Sequence, residues 1–389
     1  MNSIWFLLFI VALIGVWYVS YQVKQKPIIK QKHNLPRDYL VGLNYLLNEE
    51  PDKAVDVFIK MLEVDSDTVE THLAVGKLFR RRGEVERAIR IHQNLIARPN
   101  LDKSYREQSL FELGQDYLSA GVLDRAERIF LEVLSVKEYS IPALSSLLDI
   151  YQQEKSWESA IQIANKLELA TKKNMQVVIA HHYCELAELA FDKGQYEQGS
   201  HYIKYALKAD PQCARASLLQ AKGDIRKGNY KFALHSLKQI KDQNPDYISE
   251  SMEAFAFCYK ALNEEEAFVN YLTQLSEEYP HVPVMLILSE HLRDWKGDKI
   301  ASRFIGDYVR RYPSIYGLHV FLNLYLSRAE GSVRDDLFIL QNLTKKLLAD
   351  KSDYQCISCG FSGKSLHWHC PSCKQWSSIK PIYSLEHTV

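Results

Sequence analysis

Four cysteines near the end of the chain have the spacing of a metal site. They form two pairs, Cys356-x2-Cys359 and Cys370-x2-Cys373, with ten residues between the pairs. Two residues between thiols let both sulfurs of one tight turn face the same ion at about 2.3 Å, and two such turns complete a tetrahedron. Thiolates are soft ligands that select zinc or iron. The spacing therefore predicts one tetrahedral four-thiolate metal ion, iron or zinc, held by Cys356, Cys359, Cys370 and Cys373.

The alternative for these thiols is a flexible tail with free or disulfide-bonded cysteines. The other three cysteines, Cys184, Cys213 and Cys258, stand alone in apolar helical patterns and are interpreted as small buried hydrophobes. An odd total of seven without a spaced framework is typical of a reducing compartment, which favours a metal over disulfides. His367 and His369 flank the second pair, but four thiolates already complete the shell. A closed shell has no open position for water or substrate, so a catalytic ion is not expected.

Motifs for other chemistry are absent from the sequence. It contains no phosphate-binding GxxxxGK[ST], dinucleotide-binding GxGxxG, HExxH or nucleophile elbow, so we expect a protein that is not an enzyme. The segment HHYCE, residues 181–185, has a cysteine beside two histidines, but adjacent helical residues point in different directions, which argues against a joint site. Lys77, Arg80 and Arg81 have i, i+3, i+4 spacing and would share one helix face that could bind an acidic partner segment. A merely solvated basic face is the simpler alternative.

The charge balance narrows the class of protein. The 389-residue chain carries 48 basic and 48 acidic side chains and has no formal net charge. A protein that binds the nucleic-acid backbone would have a clear basic excess, so no nucleic-acid partner is expected. The length allows two or three domains of ordinary globular composition.

Residues 1–23 are predicted to form a transmembrane anchor. From Ile4 to Val23 the only clearly polar side chains are Ser20 and Gln22, and a helix of about 20 residues covers about 30 Å of hydrocarbon. Lysines follow the apolar run, in a basic juxtamembrane linker at 24–34, and none precedes it, so the positive-inside rule places the bulk of the chain in the cytoplasm. The alternative is a cleaved signal peptide, which would have a basic start and a small-residue cleavage site; neither is present.

Residues 35–313 contain a repeat of about 34 residues. Its marker is a small residue shortly after the start of a helix, and successive markers are 34, 38, 34, 39, 34, 34 and 34 residues apart. The markers are Ala54, Ala88, Ala126, Ala160, Gly199, Ala233, Ala267 and Ala301. The turns of four units carry glycine, at Gly83, Gly121, Gly194 and Gly228. This is the period of the tetratricopeptide repeat, a helix-turn-helix unit. Because one such hairpin cannot bury its apolar face alone, about eight stacked hairpins are predicted to share a continuous core.

The end of the chain divides into two parts. Residues 314–350 carry two amphipathic helices, roughly Ile315–Arg328 and Val333–Leu348, interpreted as a degenerate unit that caps the stack. Residues 351–389 are too few for a large core, so metal binding is predicted to supply their folding free energy, on the order of 10 kcal/mol. The two tryptophans of this tail, Trp368 and Trp376, are expected to pack over the cysteine turns, and its aromatic face to dock on the last repeats.

Three stretches of the chain resemble the lipopolysaccharide assembly protein B family of Gram-negative bacteria. They are RDYLVGLNYLL at 37–47, DKAVDVFIKMLEVDSDTVETHLAVGKLFRRRGEVERAIRIHQNLI at 52–96, and YQCISCGFSGKSLHWHCPSCKQWSSIKPI at 354–382. The resemblance extends over essentially the full chain. It implies an inner-membrane adaptor that promotes degradation of the committed-step deacetylase of lipid A synthesis (LpxC) by the FtsH-type membrane protease. It also implies an opposing membrane protein that senses lipopolysaccharide, and contacts with other lipopolysaccharide assembly proteins.

The predicted fold class is an all-α tetratricopeptide-repeat solenoid with an N-terminal transmembrane helix and a C-terminal rubredoxin-like or zinc-ribbon module at 351–389. The resemblance assigns the metal to the same four cysteines, Cys356, Cys359, Cys370 and Cys373. Two functions remain open. One is a non-enzymatic, membrane-tethered scaffold. The other is electron transfer by a rubredoxin-type iron, which reversible visible absorption on oxidation would distinguish.

Overall fold

The computed structural model describes residues 37–47, 53–54, 57, 69–279, 282–326, 329–349 and 351–382. The chain divides into a first unit that ends at Val122 and a second that begins at Leu123. Within the described ranges, no helix combines the length and apolar character needed to cross a bilayer. The predicted anchor at 1–23 and the linker at 24–34 lie outside the described residues.

Helices make up most of the described part of both units. The described helices of the first unit are α1 (Arg37–Leu47), α2 (Val69–Arg81), α3 (Val85–Ile96) and α4 (Lys103–Ser119). The helices of the second unit are α5 (Leu123–Val133), α6 (Ser140–Gln153), α7 (Trp157–Thr171), α8 (Gln176–Asp192), α9 (Tyr196–Ala209), α10 (Ala214–Arg226), α11 (Tyr230–Gln243), α12 (Ile248–Ala261), α13 (Glu265–Glu278), α14 (Val282–Lys296), α15 (Asp298–Arg311), α16 (Ile315–Leu326) and α17 (Ser332–Ala349). A short 3-10 helix, Pro245–Tyr247, precedes α12. The prediction of a helical repeat protein is confirmed.

The hairpin turns place one residue in the left-handed backbone conformation. The predicted turn glycines have φ values of 83° at Gly83, 72° at Gly121, 75° at Gly194 and 76° at Gly228. Glycine adopts this conformation without the steric cost that a Cβ atom adds. Lys155 has a φ of 58° at the equivalent position, so the turn geometry persists where the glycine signal is missing.

In most hairpins the small marker residue lies at the fourth position of the second helix. Ala88, Ala126, Ala160 and Ala301 are fully buried at this position of their helices. The predicted marker Ala267 is wrong, because its side chain is exposed and Phe268 is the buried fourth residue of α13. An aromatic ring replaces the small side chain there, which hides the repeat boundary from a search for alanine or glycine.

One glycine shows why the helices of a hairpin can approach so closely. A Cβ atom added to Gly76 of α2 would lie 2.4 Å from Nε2 of His92 on α3, well inside van der Waals contact. His92 is itself fully buried. Any side chain at position 76 would therefore displace the histidine ring, and with it the polar contacts that His92 makes in the first unit.

The last two helices before the tail are α16 and α17, close to the predicted amphipathic pair. Thr344 is the only buried residue of α17. Large apolar side chains of α17 are exposed at Val333, Phe338, Ile339, Leu340, Leu343 and Leu347. A terminal repeat that caps a stack usually presents a polar outer face, and α17 does not.

The tail folds as a small antiparallel sheet. Its strands are β1 (Tyr354–Cys356), β2 (Ser362–Gly363) and β3 (Ile379–Pro381), in the order β2-β1-β3. Tyr354 pairs with Gly363 on one side and with Pro381 on the other. Strand β1 therefore lies at the centre of the sheet, and Cys356 is its last residue.

Candidate metal centre

Two similar backbone turns position the four cysteines. In the first turn, the N–H of Cys356 donates to the carbonyl of Phe361 at 2.7 Å, and the N–H of Gly360 donates to the carbonyl of Cys356 at 2.9 Å. In the second turn, Cys370 N–H donates to the Gln375 carbonyl at 2.9 Å, and Lys374 N–H donates to the Cys370 carbonyl at 3.0 Å. The same two bonds at the same spacing make the turns equivalent.

The residue after each pair has a left-handed backbone. Gly360 has a φ of 77° and Lys374 a φ of 60°. The first value costs glycine nothing, whereas a lysine must accept some strain in this conformation. The second turn therefore holds its geometry against a local backbone preference.

The four sulfur atoms have the separations that one tetrahedral ion requires. All four lie within 4.8 Å of one another. The Cys356 and Cys373 sulfurs are 3.7 Å apart, and so are those of Cys359 and Cys370. A tetrahedron with metal–sulfur distances of about 2.3 Å has sulfur–sulfur edges of about 3.8 Å. These four cysteines can hold one tetrahedral metal ion. Within the described ranges, no other group of three or more such ligands comes together.

The local electrostatics favours a thiolate at Cys356 but not at Cys373. Burial acts to raise the pKa of the Cys356 thiol, but hydrogen bonds with Ser378 and with the backbone N–H groups of Ser358 and Cys359 lower it to about 6. The backbone N–H of Gln375 acts to lower the pKa of Cys373, yet burial and the neighbouring thiols raise it to about 12. All four sulfurs can therefore be thiolates together only beside a cation.

The tryptophans of the module face the repeats of the second unit. The Trp376 ring stacks on His181 with centroids 5.1 Å apart, and lies edge-on to His182 at 5.5 Å. The Trp368 ring lies 4.8 Å from Tyr247, and the Arg215 guanidinium lies 5.9 Å from its centroid. These rings contact the helices, and Trp376 also stacks on His369, next to Cys370, with ring centroids 4.5 Å apart.

Hydrogen bonds and an ion pair attach the sheet to the start of α12. Tyr247 donates its hydroxyl to the Ile379 carbonyl at 3.0 Å, and Tyr354 donates its hydroxyl to Glu250 Oε1 at 2.8 Å. Lys380 Nζ lies 3.2 Å from Asp246 Oδ2 and 4.2 Å from the Tyr247 ring centroid. Strands β1 and β3 are therefore fixed to the segment at 246–250.

The docking position differs from the sequence prediction. The ring contacts, hydrogen bonds and ion pair fall on α7, α8, α10, the 3-10 helix and α12, at residues 157–250, and not on the last repeats. The reason is that bulky polar and aromatic side chains that match the module lie on these middle helices. We call four of the residues that contact the tryptophans of the module the seat: His181, His182, Arg215 and Tyr247.

The seat is an uncharged histidine pair beside a paired arginine. Burial, and to a smaller extent the nearby Arg215, lowers the pKa of His181 well below its usual value, and burial lowers the pKa of His182 to about 3. Both rings are therefore neutral near pH 7. The Arg215 charge is balanced by Glu185 at 2.9 Å and Glu188 at 2.8 Å.

The segment HHYCE thus has a role that its sequence did not reveal. Its two histidines both contact Trp376, although adjacent helical residues point in different directions, because the large indole reaches both rings. Cys184 does not join them; its sulfur lies 3.9 Å from that of Cys213 in the core. The sequence signal was the pair of adjacent histidines. Adjacent residues of a helix point in different directions, so burial of both rings requires a packing partner beyond the neighbouring helix.

The predicted basic face is largely paired within the first unit. Lys77 Nζ lies 2.9 Å from Glu112, and Arg80 contacts Glu112 and Asp116 at 2.7 Å each. His92 contacts the other oxygen of Asp116. Arg81 is exposed. The structure therefore directs Lys77 and Arg80 towards carboxylates of α4, and only Arg81 lies on a solvated face as the sequence suggests.

Family models match both the repeats and the metal module. A family model described as a rubredoxin metal binding domain matches residues 354–381, and tetratricopeptide-repeat models match residues 71–104 and 184–247. Among solved structures, MamA from Desulfovibrio magneticus covers 46% of this chain at 18% identity and a TM-score of 0.30. A Naa15/Naa10 complex bound to HypK-THB covers 80% of this chain and 50% of its own at 14% identity and a TM-score of 0.41.

Two curated relatives align along essentially the entire chain. Lipopolysaccharide assembly protein B of Escherichia coli K12 is 36% identical over 99% of this chain and 100% of its own length. The protein of the same name from Haemophilus influenzae is 33% identical over 100% of both chains. Identity of this extent, together with the helical repeats and the four-cysteine module, places the chain in one family: it belongs to the lipopolysaccharide assembly protein B family.

Proposed function

We propose that this protein is a membrane-anchored, non-enzymatic adaptor that regulates lipopolysaccharide synthesis. It brings the committed-step deacetylase of lipid A synthesis to the FtsH-type protease for degradation, and a lipopolysaccharide-sensing membrane protein opposes it. It also contacts other lipopolysaccharide assembly proteins at the inner membrane. The observation that carries the proposal is the attachment of the metal module to the repeats, which gives an adaptor one rigid surface made from both. Full-length similarity to lipopolysaccharide assembly protein B supports the pathway.

The proposal assigns separate tasks to the anchor and to the folded part. Residues 1–23 hold the chain in the inner membrane, with residues 24–389 on the cytoplasmic side. Tethering beside a membrane protease raises the effective concentration to about the millimolar range without a new contact. The repeats and the module make the specific contacts, and Lys77, Arg80 and Arg81 stay a predicted partner surface in which Arg81 is the exposed member.

The test compares the full chain with a form that lacks residues 1–23. Both are expressed at the native level and captured from detergent-solubilised membranes, and the deacetylase level and bound partners are measured. We expect the full chain to retain the protease and the deacetylase, and the shortened form to be folded but weakly active. Full activity of the shortened form would contradict the tethering role, and absence of both partners from the full chain would contradict the adaptor.

Electron transfer by a bound iron is the second candidate. Cys359 is exposed, so one ligand of the centre is accessible to a redox partner. The test is the visible spectrum of the purified protein during oxidation and reduction, compared with a zinc-substituted form. Reversible absorption together with loss of function in the zinc form would favour this candidate. Equal function of both forms would exclude it.

A further inference from the structure

A groove lies between the metal module and the repeats of the second unit. Its volume is about 510 Å³. Val282, Leu286 and Ile287 of α14 line one part of it, and Pro381 and Ile382 of the module line another. The groove is therefore built jointly by the helices and the sheet, and its floor is mainly aliphatic.

The other lining residues are four carboxylates together with Ser249, Tyr316 and Tyr354. Glu250 and Glu253 come from α12, Glu290 from α14 and Asp353 from the module, and no lysine or arginine is among the described residues that line the groove. Glu250 accepts the Tyr354 hydroxyl at 2.8 Å, while Glu253 and Glu290 are exposed. None of the four carboxylates has an ion-pair partner among the described side chains. The groove thus presents four uncompensated negative charges around an aliphatic floor.

The spacing of these charges decides the class of ligand. Only the four cysteines of the described chain bring three or more ligating atoms close enough for one ion, so the carboxylates are too far apart to coordinate a divalent cation together. Several cationic groups spaced along a chain would match them instead. A polyamine would also supply the charges, but its thin unbranched methylene spacers would cover less of Val282, Leu286 and Ile287 than aliphatic side chains would.

We propose that the groove binds a linear segment of a partner protein in which lysine or arginine alternates with aliphatic residues. The aliphatic side chains of the peptide cover the floor and contribute affinity. Its cationic groups pair with the carboxylates, so that basic peptides are preferred over acidic ones. The inference deepens the proposed adaptor function and rests on it. It also makes the metal relevant to partner binding, because the module supplies one wall.

The test uses the full chain in lipid nanodiscs. A phage-displayed library of random peptides is selected against the native protein, and the enriched peptide is measured by fluorescence anisotropy. We expect enrichment of peptides that combine Lys or Arg with Leu, Ile or Val. The groove variant Glu253→Gln/Glu290→Gln should bind the enriched peptide about tenfold more weakly, because two exposed charge pairs are lost. The control Glu132→Gln/Glu138→Gln makes the same charge change at exposed positions outside the groove and should bind unchanged.

A charge-reversal variant makes the test specific. Glu253→Lys/Glu290→Lys should prefer the same peptide with its basic residues replaced by glutamate. Equal weakening in the groove variant and its control, or the absence of basic-aliphatic peptides after selection, would overturn the proposal. Displacement of the peptide by spermine at equal affinity would overturn the peptide assignment in favour of a polyamine. Self-association that the peptide abolishes would assign the groove to a second copy.

The failure of the groove and that of the adaptor are separable. Peptide binding is measured on purified protein, whereas deacetylase and lipopolysaccharide levels are measured in cells. Selective peptide binding with normal regulation in cells that carry Glu253→Gln/Glu290→Gln would support the binding site and refute its link to the adaptor. If cells with Glu253→Gln/Glu290→Gln lose regulation but the purified native protein binds no peptide, the peptide-binding role of the groove is refuted and the adaptor function is not.

Discussion

Two clusters of polar side chains, one in each unit, use their histidines in opposite ways. In the first unit, Arg80 lies between Glu112 and Asp116, with His92 on the far side of Asp116, so charges neutralise one another between helices. In the second unit, the neutral His181 and His182 meet the Trp376 ring, so aromatic contact replaces charge. A cluster of basic residues in a helical repeat can therefore stabilise the packing of the repeat itself. Neutral buried histidines, which are less obvious in a sequence, can form the docking site of another module.

The largest effect is expected from removing a metal ligand. Cys356→Ser or Cys373→Ser removes one soft ligand from a shell whose sulfurs lie 3.7 Å apart, so metal content should fall well below one per chain. The module loses a free energy of metal binding on the order of 10 kcal/mol and should unfold, while the helical circular dichroism of the repeats persists.

The control for this prediction is Cys258→Ala, which removes a buried thiol outside the centre. It should leave the metal content unchanged. Normal loading in both serine variants would refute the four-thiolate site. Lost metal with intact lipopolysaccharide regulation would show that the centre serves stability alone and would weaken the proposed function.

The charged network of the first unit should be the next most sensitive feature. Asp116 is fully buried, and Asp116→Ala removes the carboxylate that both Arg80 and His92 contact. Breaking a buried charged pair by removing one member costs about 3–5 kcal/mol. Denaturant unfolding of the full chain should show this loss. Glu107→Ala on the same helix, which breaks only the 3.8 Å pair with Lys103, should cost about 0.3–0.5 kcal/mol. An equal loss of unfolding free energy in Asp116→Ala and Glu107→Ala would show that the buried network stabilises the fold no more than an exposed ion pair does.

The seat of the module should depend on a single ring. Trp376→Ala removes the contacts with His181 and His182 and should weaken docking by about 3 kcal/mol. Metal content should stay at one per chain, because the ligands are untouched, while hydrogen exchange of α8 accelerates. Trp295→Ala provides the matched control, because this indole is 51% exposed on α14. An unchanged exchange rate in α8 would mean that the ring is not what holds the module.

Acid should loosen the seat, because both of its histidines are buried in the neutral form. The pKa of His182, about 3 in the folded chain because of burial, lies below the unfolded value of about 6.5, and that of His181 is lowered in the same direction. The unfolded state therefore binds more protons in this range, so the stabilisation is complete above about pH 6.5 and decreases below it. For His182, the loss of stabilisation at pH 5 is about 2 kcal/mol.

Hydrogen exchange of α8 between pH 7 and pH 5 measures this effect, with the metal content recorded in parallel. Arg215 and His369 also face the pair, so the comparison is made with His181→Gln/His182→Gln, which keeps those groups. The double variant should lose the pH dependence. The same slope in native and variant proteins would assign it to other groups.

The smallest effect is expected at Arg81. Because this side chain is exposed, Arg81→Glu should change the free energy of unfolding by no more than about 0.5 kcal/mol. Arg80→Glu would instead place a carboxylate against Glu112 and Asp116 and destabilise the first unit strongly. A triple change of Lys77, Arg80 and Arg81 would therefore confuse stability with binding. Unaltered partner binding by Arg81→Glu would reduce the basic face to solvated surface.

The features that could be predicted from sequence are local or periodic. The metal ligands follow from Cys-x2-Cys spacing, because each pair lies on one tight turn whose geometry needs no distant contact. The helical repeat follows from a period of about 34 residues, since every unit must bury the same small position. The prediction misplaced Ala267 because Phe268 fills that position with a ring, and a pattern based on residue size cannot register an aromatic replacement.

What only the tertiary structure decided is which residues meet across the chain. Trp376 and His181 are separated by nearly 200 residues, and neither residue's local pattern specifies the other. The same holds for the partners of Arg80: a basic triad on one helix carries no sign that Glu112 and Asp116 of a later helix neutralise it. The sequence determined the metal ligands and the repeat because both depend on spacing along the chain. The seat, the charged network and the acidic groove depend on packing between separate elements, and packing is a property of the folded molecule as a whole.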